Sequence, residues 1–247
     1  MKFVSPKRVM HDSDEEFYNR QAPQSNPHDN NRLVTGRGAE LLRFLMLGGE
    51  LSHSEPLAVR GNPDYLSDVK FLDVGCREGW SLDYLNRGCP TGFFKGSKQF
   101  DNVLGMELIR ETVDYAKNKG RNVIQADIRK IVIEENTFDV IYTRHCLEHL
   151  DEPLEALKNM AKMLKPGGTL FAIVPKETED LDIERSVHSY LFSADNELAK
   201  LIEEAGLRVT QNIVRKEYFL KKRKYWYKLR AKQRHWGPEL AVLATKN

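Results

Sequence analysis

The sequence predicts an α/β fold in which helices cover both faces of a mostly parallel sheet. The first indication is the stretch FLDVGCREG at Phe71–Gly79, where an apolar strand predicted over 69–74 enters a glycine turn and then a helix predicted over 80–86. A strand that is apolar on both faces is typical of the centre of a parallel sheet. The second indication is that strand and helix patterns alternate along the rest of the chain, which implies right-handed crossovers between parallel strands.

Composition places the chain among folded globular proteins. Its 247 residues are 40% hydrophobic and 30% charged, which is enough material for one large domain with a sizeable core. No apolar run approaches the roughly 18 residues of a transmembrane helix, and the N-terminus has no apolar segment typical of a secretory signal. The three cysteines, Cys76, Cys89 and Cys146, lack metal-ligand spacing, and their odd number favours a reducing, cytoplasmic location.

Six further strands are predicted after the first one. They occupy residues 103–107, 122–126, 138–142, 169–174, 207–214 and 240–245. Helices are predicted between the earlier strands, over residues 109–119, 152–164 and 198–205. The run Lys165-Pro166-Gly167-Gly168 is expected to end the second of these helices, and Gly206 is expected to cap the third. The last two strands have no clear helix between them, which favours an antiparallel hairpin.

Segments outside these elements are predicted to be an arm, loops and an insert. Residues 1–36 are polar and carry several prolines, which predicts a flexible arm, and residues 37–247 are predicted to form the folded domain. An apolar-faced helix is predicted over 38–47, and long loops over 48–68 and 88–102. A basic, aromatic insert is predicted at 215–236, between the last two strands.

Three acidic residues follow successive predicted strands, at Asp73, Glu107 and Asp127. The carboxyl ends of parallel strands share one crevice in a doubly wound sheet, so these carboxylates are expected to lie near one another. A carboxylate after the second strand can accept both hydroxyls of a ribose, and one after the third strand can accept from an exocyclic amine such as that of adenine. Any one of them alone could be a solvated loop residue, but three at equivalent positions favour a nucleoside site.

Gly75 and Gly79 supply the backbone freedom for a tight turn that presents N–H groups to a ligand. The glycine pattern is weak evidence by itself, because the full dinucleotide fingerprint has a third glycine where this chain has Arg77. An ordinary strand, turn and helix remains the alternative interpretation of this stretch alone.

Taken with the rest of the chain, these motifs resemble the class I S-adenosylmethionine-dependent methyltransferases, in particular the group that acts on small molecules and glycans. The resemblance covers about residues 69–214. LDVGCREG, GMEL and QADI resemble the first three motifs, and FDVIYTRHCLEHLDEPLEALKNMAKMLKPGGTLFAIVP is the most specific part. The resemblance implies a Rossmann-like, doubly wound, seven-stranded sheet with an antiparallel last strand, and S-adenosyl-L-methionine as the cofactor.

The resemblance also implies roles for individual residues. Asp73 and Gly75, with Cys76 and Gly79 in the same turn, would border the methionine moiety of the cofactor. Glu107 would hold the ribose, and Asp127 with Ile128 the adenine. The residues after the fourth strand, Thr143–His145, would lie near the methionine end and the acceptor, so His145 is a candidate cofactor contact and general base. Methyl transfer needs no fixed catalytic residue, because positioning can supply much of the rate.

Two features of the sequence differ from the usual pattern of this family. Arg77 stands where the family usually has glycine, so its side chain must point away from the cofactor, and a non-catalytic relative is the alternative. His145-Cys146-Leu147-Glu148-His149 also fits H-x-x-E-H, an inverted zinc-protease pattern. The protease is rejected because the pattern straddles a strand end and a helix start. His145, Glu148 and His149 resemble a divalent-cation set of some quinone-type O-methyltransferases, but a structural role for Glu148 and His149 is favoured and no metal is predicted.

Acceptor-side residues are harder to identify. His188 and Tyr190 follow the fifth strand and are candidates for the acceptor side of the site, with a packed connection as the alternative. The segment 215–234 has ten Lys or Arg against one Glu, with five aromatic residues between them. It could bind RNA, an anionic glycan or a lipid surface, or it could be a solvated helix.

The predicted function is methyl transfer from S-adenosylmethionine to a small or glycan-like acceptor, through oxygen because no amine-specific motif is visible. The alternatives are an RNA methyltransferase that docks through residues 215–234 and a non-catalytic binding protein. Base methylation is disfavoured, because Tyr142-Thr143-Arg144-His145 replaces the Pro-Pro motif typical of adenine methyltransferases, and no Pro-Cys pair is present.

Overall fold

The computed structural model describes residues 68–87, 102–177, 188–215 and 239–247, and these contain one seven-stranded sheet. Its strands are β1 Lys70–Val74, β2 Asn102–Glu107, β3 Val123–Gln125, β4 Phe138–Arg144, β5 Leu164–Pro175, β6 Arg208–Arg215 and β7 Glu239–Thr245. The described helices are α1 Trp80–Arg87, α2 Arg110–Asn118, α3 Pro153–Met163 and α4 Glu197–Glu204, with a short 3₁₀ helix at Leu147–His149.

The strands lie in the order β3-β2-β1-β4-β5-β7-β6. The first five strands are parallel, whereas β7 runs antiparallel to both of its neighbours, β5 and β6. The predicted fold class and the predicted antiparallel pairing of the last two strands are therefore confirmed. Strands β2 and β3 lie on one side of β1, and β4 and β5 lie on the other side. The strand order therefore reverses between β1 and β4, which makes this position the topological switch point of the sheet.

Apolar side chains form a core on each face of the sheet. Alternate residues of one strand point to opposite faces, so Leu72 and Val74 belong to one core and Phe71 to the other. Helices α3 and α4 cover the face of Leu72, and helices α1 and α2 cover the face of Phe71. The central strands are buried on both faces, which explains the nearly continuous apolar runs in the sequence.

One boundary differs from the prediction at the Lys165–Gly168 breaker run. Helix α3 ends at Met163, and Leu164 is already extended and pairs with Phe138 of β4. The register then shifts between Phe138 and Val140, and regular pairing resumes at Thr169. The breaker residues thus end the helix as expected, but they form an irregular start of β5 instead of a separate loop.

The end of α4 agrees with the prediction that Gly206 caps this helix. The Gly206 N–H donates to the Glu203 carbonyl at 2.9 Å, and the Leu207 N–H donates to the Ile202 carbonyl at 3.2 Å. This pair of bonds is the Schellman arrangement, which satisfies carbonyls that the helix itself leaves unpaired.

Several predictions fall outside the described residues. These are the arm at 1–36, the helix at 38–47, most of the two long loops, and almost all of the basic insert at 215–236. The domain boundary at residue 37 stays a prediction for the same reason. Within the described part of the chain, no helix is long and apolar enough to cross a membrane.

Candidate functional site

The turn after β1 packs tightly against the chain that follows β4. Gly75 and Gly79 have φ values of 74° and 75°, in the left-handed region that glycine adopts without strain. A Cβ atom built on Gly75 would lie 2.7 Å from both Cβ and Sγ of Cys146. Gly75 is therefore required both by its backbone conformation and by the close approach of Cys146.

The backbone N–H groups of this turn bond to the protein, which corrects the prediction that they face a ligand. Gly75 and Cys76 both donate to the Met106 carbonyl, at 2.9 and 3.1 Å, and Gly79 donates to the Cys76 carbonyl at 2.9 Å. The Arg77 N–H donates to Glu107 Oε2 at 2.9 Å. A glycine turn binds phosphate through backbone N–H groups that have no partner within the protein. Because the N–H groups named above already have protein acceptors, this turn is better suited to a ligand without phosphate.

Glu107 ends β2 and is held rigidly by backbone donors. Its Oε2 accepts from the Arg77 N–H, and its Oε1 accepts from the N–H groups of Leu108 at 2.8 Å and Ile109 at 3.1 Å. Burial raises the pKa of Glu107, while these bonds and the Arg77 charge act in the opposite direction. A carboxylate has about four acceptor positions, so one position on Oε2 remains for a ligand hydroxyl.

Asp73 lies beside Glu107 and is almost fully buried, with 2% of its surface exposed. Its Oδ2 accepts a hydrogen bond from the hydroxyl of Ser81, in the first turn of α1. Burial raises the pKa of Asp73 to about 7; the Ser81 bond lowers it and the negative charge of Glu107 raises it further. Two neighbouring carboxyl groups in a buried position favour a ligand that carries positive charge.

Asp127 pairs with Arg129, a residue that was not predicted to belong to the site. Arg129 donates to both oxygens of Asp127, through Nε at 3.0 Å and Nη2 at 2.8 Å, and through Nη1 to Asp151 at 2.5 Å. Burial would raise the pKa of Asp127, but the Arg129 contacts outweigh it and the pKa is lowered. The Asp-x-Arg spacing is the sequence signal that could have indicated this pair.

Ile128 is 4% exposed and belongs to the apolar core, while its carbonyl accepts from the Asn159 side chain at 2.9 Å. Asn159 lies on α3, so this bond fixes the loop after β3 to the helix behind it. The adenine roles of Asp127 and Ile128 stay predictions, and the structure assigns both residues protein contacts as well.

His145 follows β4 with a φ of 50° and faces carboxylates through both ring nitrogens. Its Nε2 lies 2.9 Å from Glu239 Oε1, and its Nδ1 lies 3.6 Å from Glu148 Oε1. Arg144 donates to the same Glu239 oxygen at 2.6 Å. Burial lowers the pKa of His145, although the Glu239 bond raises it. A general base at this position would have to exchange one of these contacts for the acceptor.

A second cluster lies beside His145 and consists of Glu148, His149, Glu177 and His188. Glu148 is fully buried, and neither of its carboxylate oxygens accepts a hydrogen bond from another side chain in the described part of the chain. Burial raises its pKa to about 8, which its own backbone N–H opposes only in part. His188 contacts Glu177 Oε1 through Nδ1, and its ring lies 4.9 Å from that of His149.

The segment after β5 brings His188 to this cluster. The N–H groups of Ser189 and Tyr190 donate to the Glu148 carbonyl at 2.8 and 3.0 Å. Tyr190 itself turns toward α4, where its hydroxyl donates to Glu197 at 3.3 Å. Burial and the negative charge of Glu197 raise the pKa of Tyr190 to about 12.

Comparison with known proteins matches residues 72–172 to a family described as a methyltransferase domain. A ubiquinone biosynthesis O-methyltransferase from Coxiella burnetii is 28% identical over 158 residues, which are 56% of this chain and 63% of the relative. The chain thus matches less than two thirds of that relative's length.

Solved structures share the fold at low sequence identity. A chain from a complex that contains the Haloferax volcanii Trm112 methyltransferase activator has a TM-score of 0.65 at 15% identity, over 95% of this chain and 98% of the other. An S-adenosylmethionine-dependent methyltransferase from Aquifex aeolicus has a TM-score of 0.56 at 21% identity, over 95% and 99% of the two chains.

Proposed function

We propose that the chain is a class I S-adenosylmethionine-dependent methyltransferase, which its match to a methyltransferase domain over residues 72–172 supports, and that it transfers the methyl group of S-adenosylmethionine to an oxygen atom of a small or glycan-like acceptor. The observation that carries this proposal is the buried pair Asp73 and Glu107 at the carboxyl ends of adjacent strands, β1 and β2. This pair lies beside the switch point of the sheet, where doubly wound folds bind their ligands.

The residues present fit this cofactor. Glu107 retains an acceptor position on Oε2 that suits one ribose hydroxyl, and the turn from Gly75 to Gly79 offers no phosphate cradle, in keeping with a nucleoside that has no phosphate. Asp73 adds a second carboxyl group for a ligand with a positive charge. When bound, S-adenosylmethionine would supply a methyl group on a cationic sulfur; the bond from that carbon to sulfur would break as the acceptor oxygen attacks the methyl carbon in line, and S-adenosylhomocysteine would leave.

The chain's own residues then have to position the acceptor and keep water away. His145 and the cluster of Glu148, His149, Glu177 and His188 follow β4 and β5, next to the proposed cofactor site, so they are candidates for the acceptor side. An oxygen acceptor is favoured because a similar protein is named as an O-methyltransferase and because carboxylate and imidazole groups can orient or deprotonate a hydroxyl.

Two other functions rest on specific observations. The net charge of +9 in residues 215–234 favours RNA docking, and loss of salt-sensitive RNA binding on neutralising Lys221–Lys224 would support it. Arg77 favours a non-catalytic relative, because the charge of its side chain acts on Glu107 at a position where glycine was expected. In that case Arg77→Gly should create cofactor binding that the wild-type chain lacks.

A thermal-unfolding titration with S-adenosylmethionine and S-adenosylhomocysteine tests the proposal. A ligand that binds only the folded state stabilises it by about 2.7 kcal/mol at one hundred times its dissociation constant. We expect a saturable rise in the melting temperature with both ligands, and a loss of that rise in Glu107→Gln. Glu111→Gln is the matched control, because this exposed carboxylate lies in the first turn of α2. Absence of a shift with either ligand would contradict the proposed function.

A further inference from the structure

We propose that Arg129 is a positioning residue that makes the proposed cofactor site selective for a 6-amino purine over a 6-oxo purine. Its guanidinium donates to Asp127 Oδ1 through Nε at 3.0 Å and to Asp127 Oδ2 through Nη2 at 2.8 Å. The third nitrogen, Nη1, donates to Asp151 Oδ1 at 2.5 Å. One side chain thus joins the loop after β3 to the segment after β4. This inference rests on the proposed function, because it concerns the base of S-adenosylmethionine or of its product.

Asp127 lies beside Glu107, the carboxylate proposed to hold the ribose. Gln125, the last residue of β3, pairs in register with Glu107, the last residue of β2. The Ala126 N–H then donates to the Glu107 carbonyl at 2.9 Å, and Asp127 follows directly. The base of a nucleoside is attached to its ribose, so a purine on a ribose at Glu107 can extend to the Asp127 carboxylate.

Among the contacts of the described residues, the bonds from Arg129 leave the Asp127 carboxylate one acceptor position. Oδ1 accepts from the Arg129 backbone N–H at 2.9 Å and from Nε, which fills both of its positions. Oδ2 accepts from Nη2, while the exposed Lys130 ammonium group is 3.6 Å away, beyond hydrogen-bond range. Burial would raise the pKa of Asp127, but the Arg129 contacts lower it and keep the carboxylate ionised.

The fixed direction of this acceptor position is what produces the selectivity. An ionised carboxylate can accept from the 6-amino group of adenine, but it repels the 6-oxygen of hypoxanthine, since neither group donates. A carboxylate that could rotate would escape this repulsion, because hypoxanthine has an N–H donor at the neighbouring ring position. The planar guanidinium of Arg129 prevents that rotation, whereas a lysine ammonium group would supply the charge without the fork of donors.

Contacts outside the Asp127 pair hold Arg129 itself in place. Asp151, which accepts from Nη1, follows the 3₁₀ helix after β4. Asn159 on α3 donates to the backbone carbonyls of Ile128 at 2.9 Å and Arg129 at 3.0 Å. The side chain of Arg129 is only 8% exposed. The loop is therefore ordered before a ligand arrives, which lowers the entropic cost of binding.

Calorimetric titration of the full chain with S-adenosylhomocysteine and S-inosylhomocysteine, in which oxygen replaces the 6-amino group, tests the inference. We expect wild-type protein to bind the adenosyl ligand at least about tenfold more tightly than the inosyl ligand. Arg129→Lys should reduce this ratio to about threefold or less, because the charge is kept and the fork is lost. A purely structural role would weaken both ligands equally and leave the ratio unchanged.

Arg208→Lys is the matched control and should keep the wild-type ratio. Arg208 is exposed at the start of β6. Strand β6 runs in the same direction as β5, because both are antiparallel to β7, so its start lies at the edge of the sheet opposite to the proposed site.

Asp151→Ala is a second variant, which keeps Arg129 and tests the inference even if Arg129→Lys does not fold. It removes the outer partner of the guanidinium and should lower the ratio at least about threefold. The inference is overturned if wild-type protein binds the two ligands equally well, if Arg129→Lys or Asp151→Ala keeps the wild-type ratio, or if Arg208→Lys lowers it as much as Arg129→Lys. Wild-type protein that binds neither ligand would overturn the proposed function, and this inference with it.

Discussion

Arg77 has a backbone conformation that costs energy in any residue except glycine. Its φ is 50°, and its side chain is exposed. Left-handed conformations cost a non-glycine residue about 1 kcal/mol or more. The N–H of residue 77 donates to Glu107 at 2.9 Å, a bond that glycine would keep.

We therefore predict that Arg77→Gly raises the free energy of unfolding by about 1 kcal/mol, as measured by urea denaturation. Glu78→Gly is the matched control, because the adjacent residue has no left-handed φ and glycine there should destabilise the fold. A loss of stability in Arg77→Gly would mean that its side chain makes contacts that outweigh the backbone strain.

At the scale of the elements, Arg121 joins the glycine turn to helix α1 and to the start of β3. Its guanidinium donates to the Glu78 carbonyl at 2.5 Å and to Asp83 at 2.7 Å, and it lies 4.3 Å from the centre of the Trp80 ring. A Cβ on Gly79 would lie 2.8 Å from Arg121 Cδ. The side chain thus fixes both the position and the backbone of the proposed cofactor turn.

Arg121→Met should lower the free energy of unfolding by about 2 kcal/mol, because it removes the hydrogen bond to the Glu78 carbonyl and the partly buried ion pair with Asp83. It should also weaken S-adenosylhomocysteine binding, since the turn loses its support. Lys119→Met is the control. Lys119 is exposed, and its ammonium group lies 5.5 Å from the centre of the Tyr115 ring. This substitution should change the free energy of unfolding by less than about 0.5 kcal/mol. Equal effects of the two variants would contradict the role assigned to Arg121.

At the scale of the whole molecule, Asp73 couples the stability of the fold to pH. Burial raises its pKa to about 7 from a model-peptide value of 3.8. Between these values the folded state holds a proton that the unfolded chain has released. The folded state therefore binds more protons, and the free energy of unfolding falls as pH rises.

We predict that Asp73→Asn removes this contribution, which is at most about 1.4 kcal/mol per pH unit. Urea denaturation of both proteins at about pH 5 and pH 6.5 measures it: the stability of the variant relative to wild type should increase with pH. Asp114→Asn serves as the control, because this side chain on α2 is 63% exposed. If Asp73→Asn and wild type lose stability in parallel, the Asp73 carboxyl is already ionised in the folded state.

The sequence alone determined the fold and the first residues of the site. Apolar strands such as β1, the breaker run after α3 and the glycine after α4 are local patterns, and each has a local physical cause that a single sequence displays. The carboxylates Asp73 and Glu107 could be located for the same reason, because parallel strands bring their carboxyl ends together whatever the remaining details are.

Only the tertiary structure decided which side chains meet. His145 and Glu239 are 94 positions apart, and His188 reaches Glu148 from a separate segment after β5. It also decided that the amides of the glycine turn bond to Met106 and Glu107 instead of facing outward. Such contacts depend on strand order, register and burial across the whole sheet. They therefore cannot be predicted from the pattern of residues that are neighbours in the sequence.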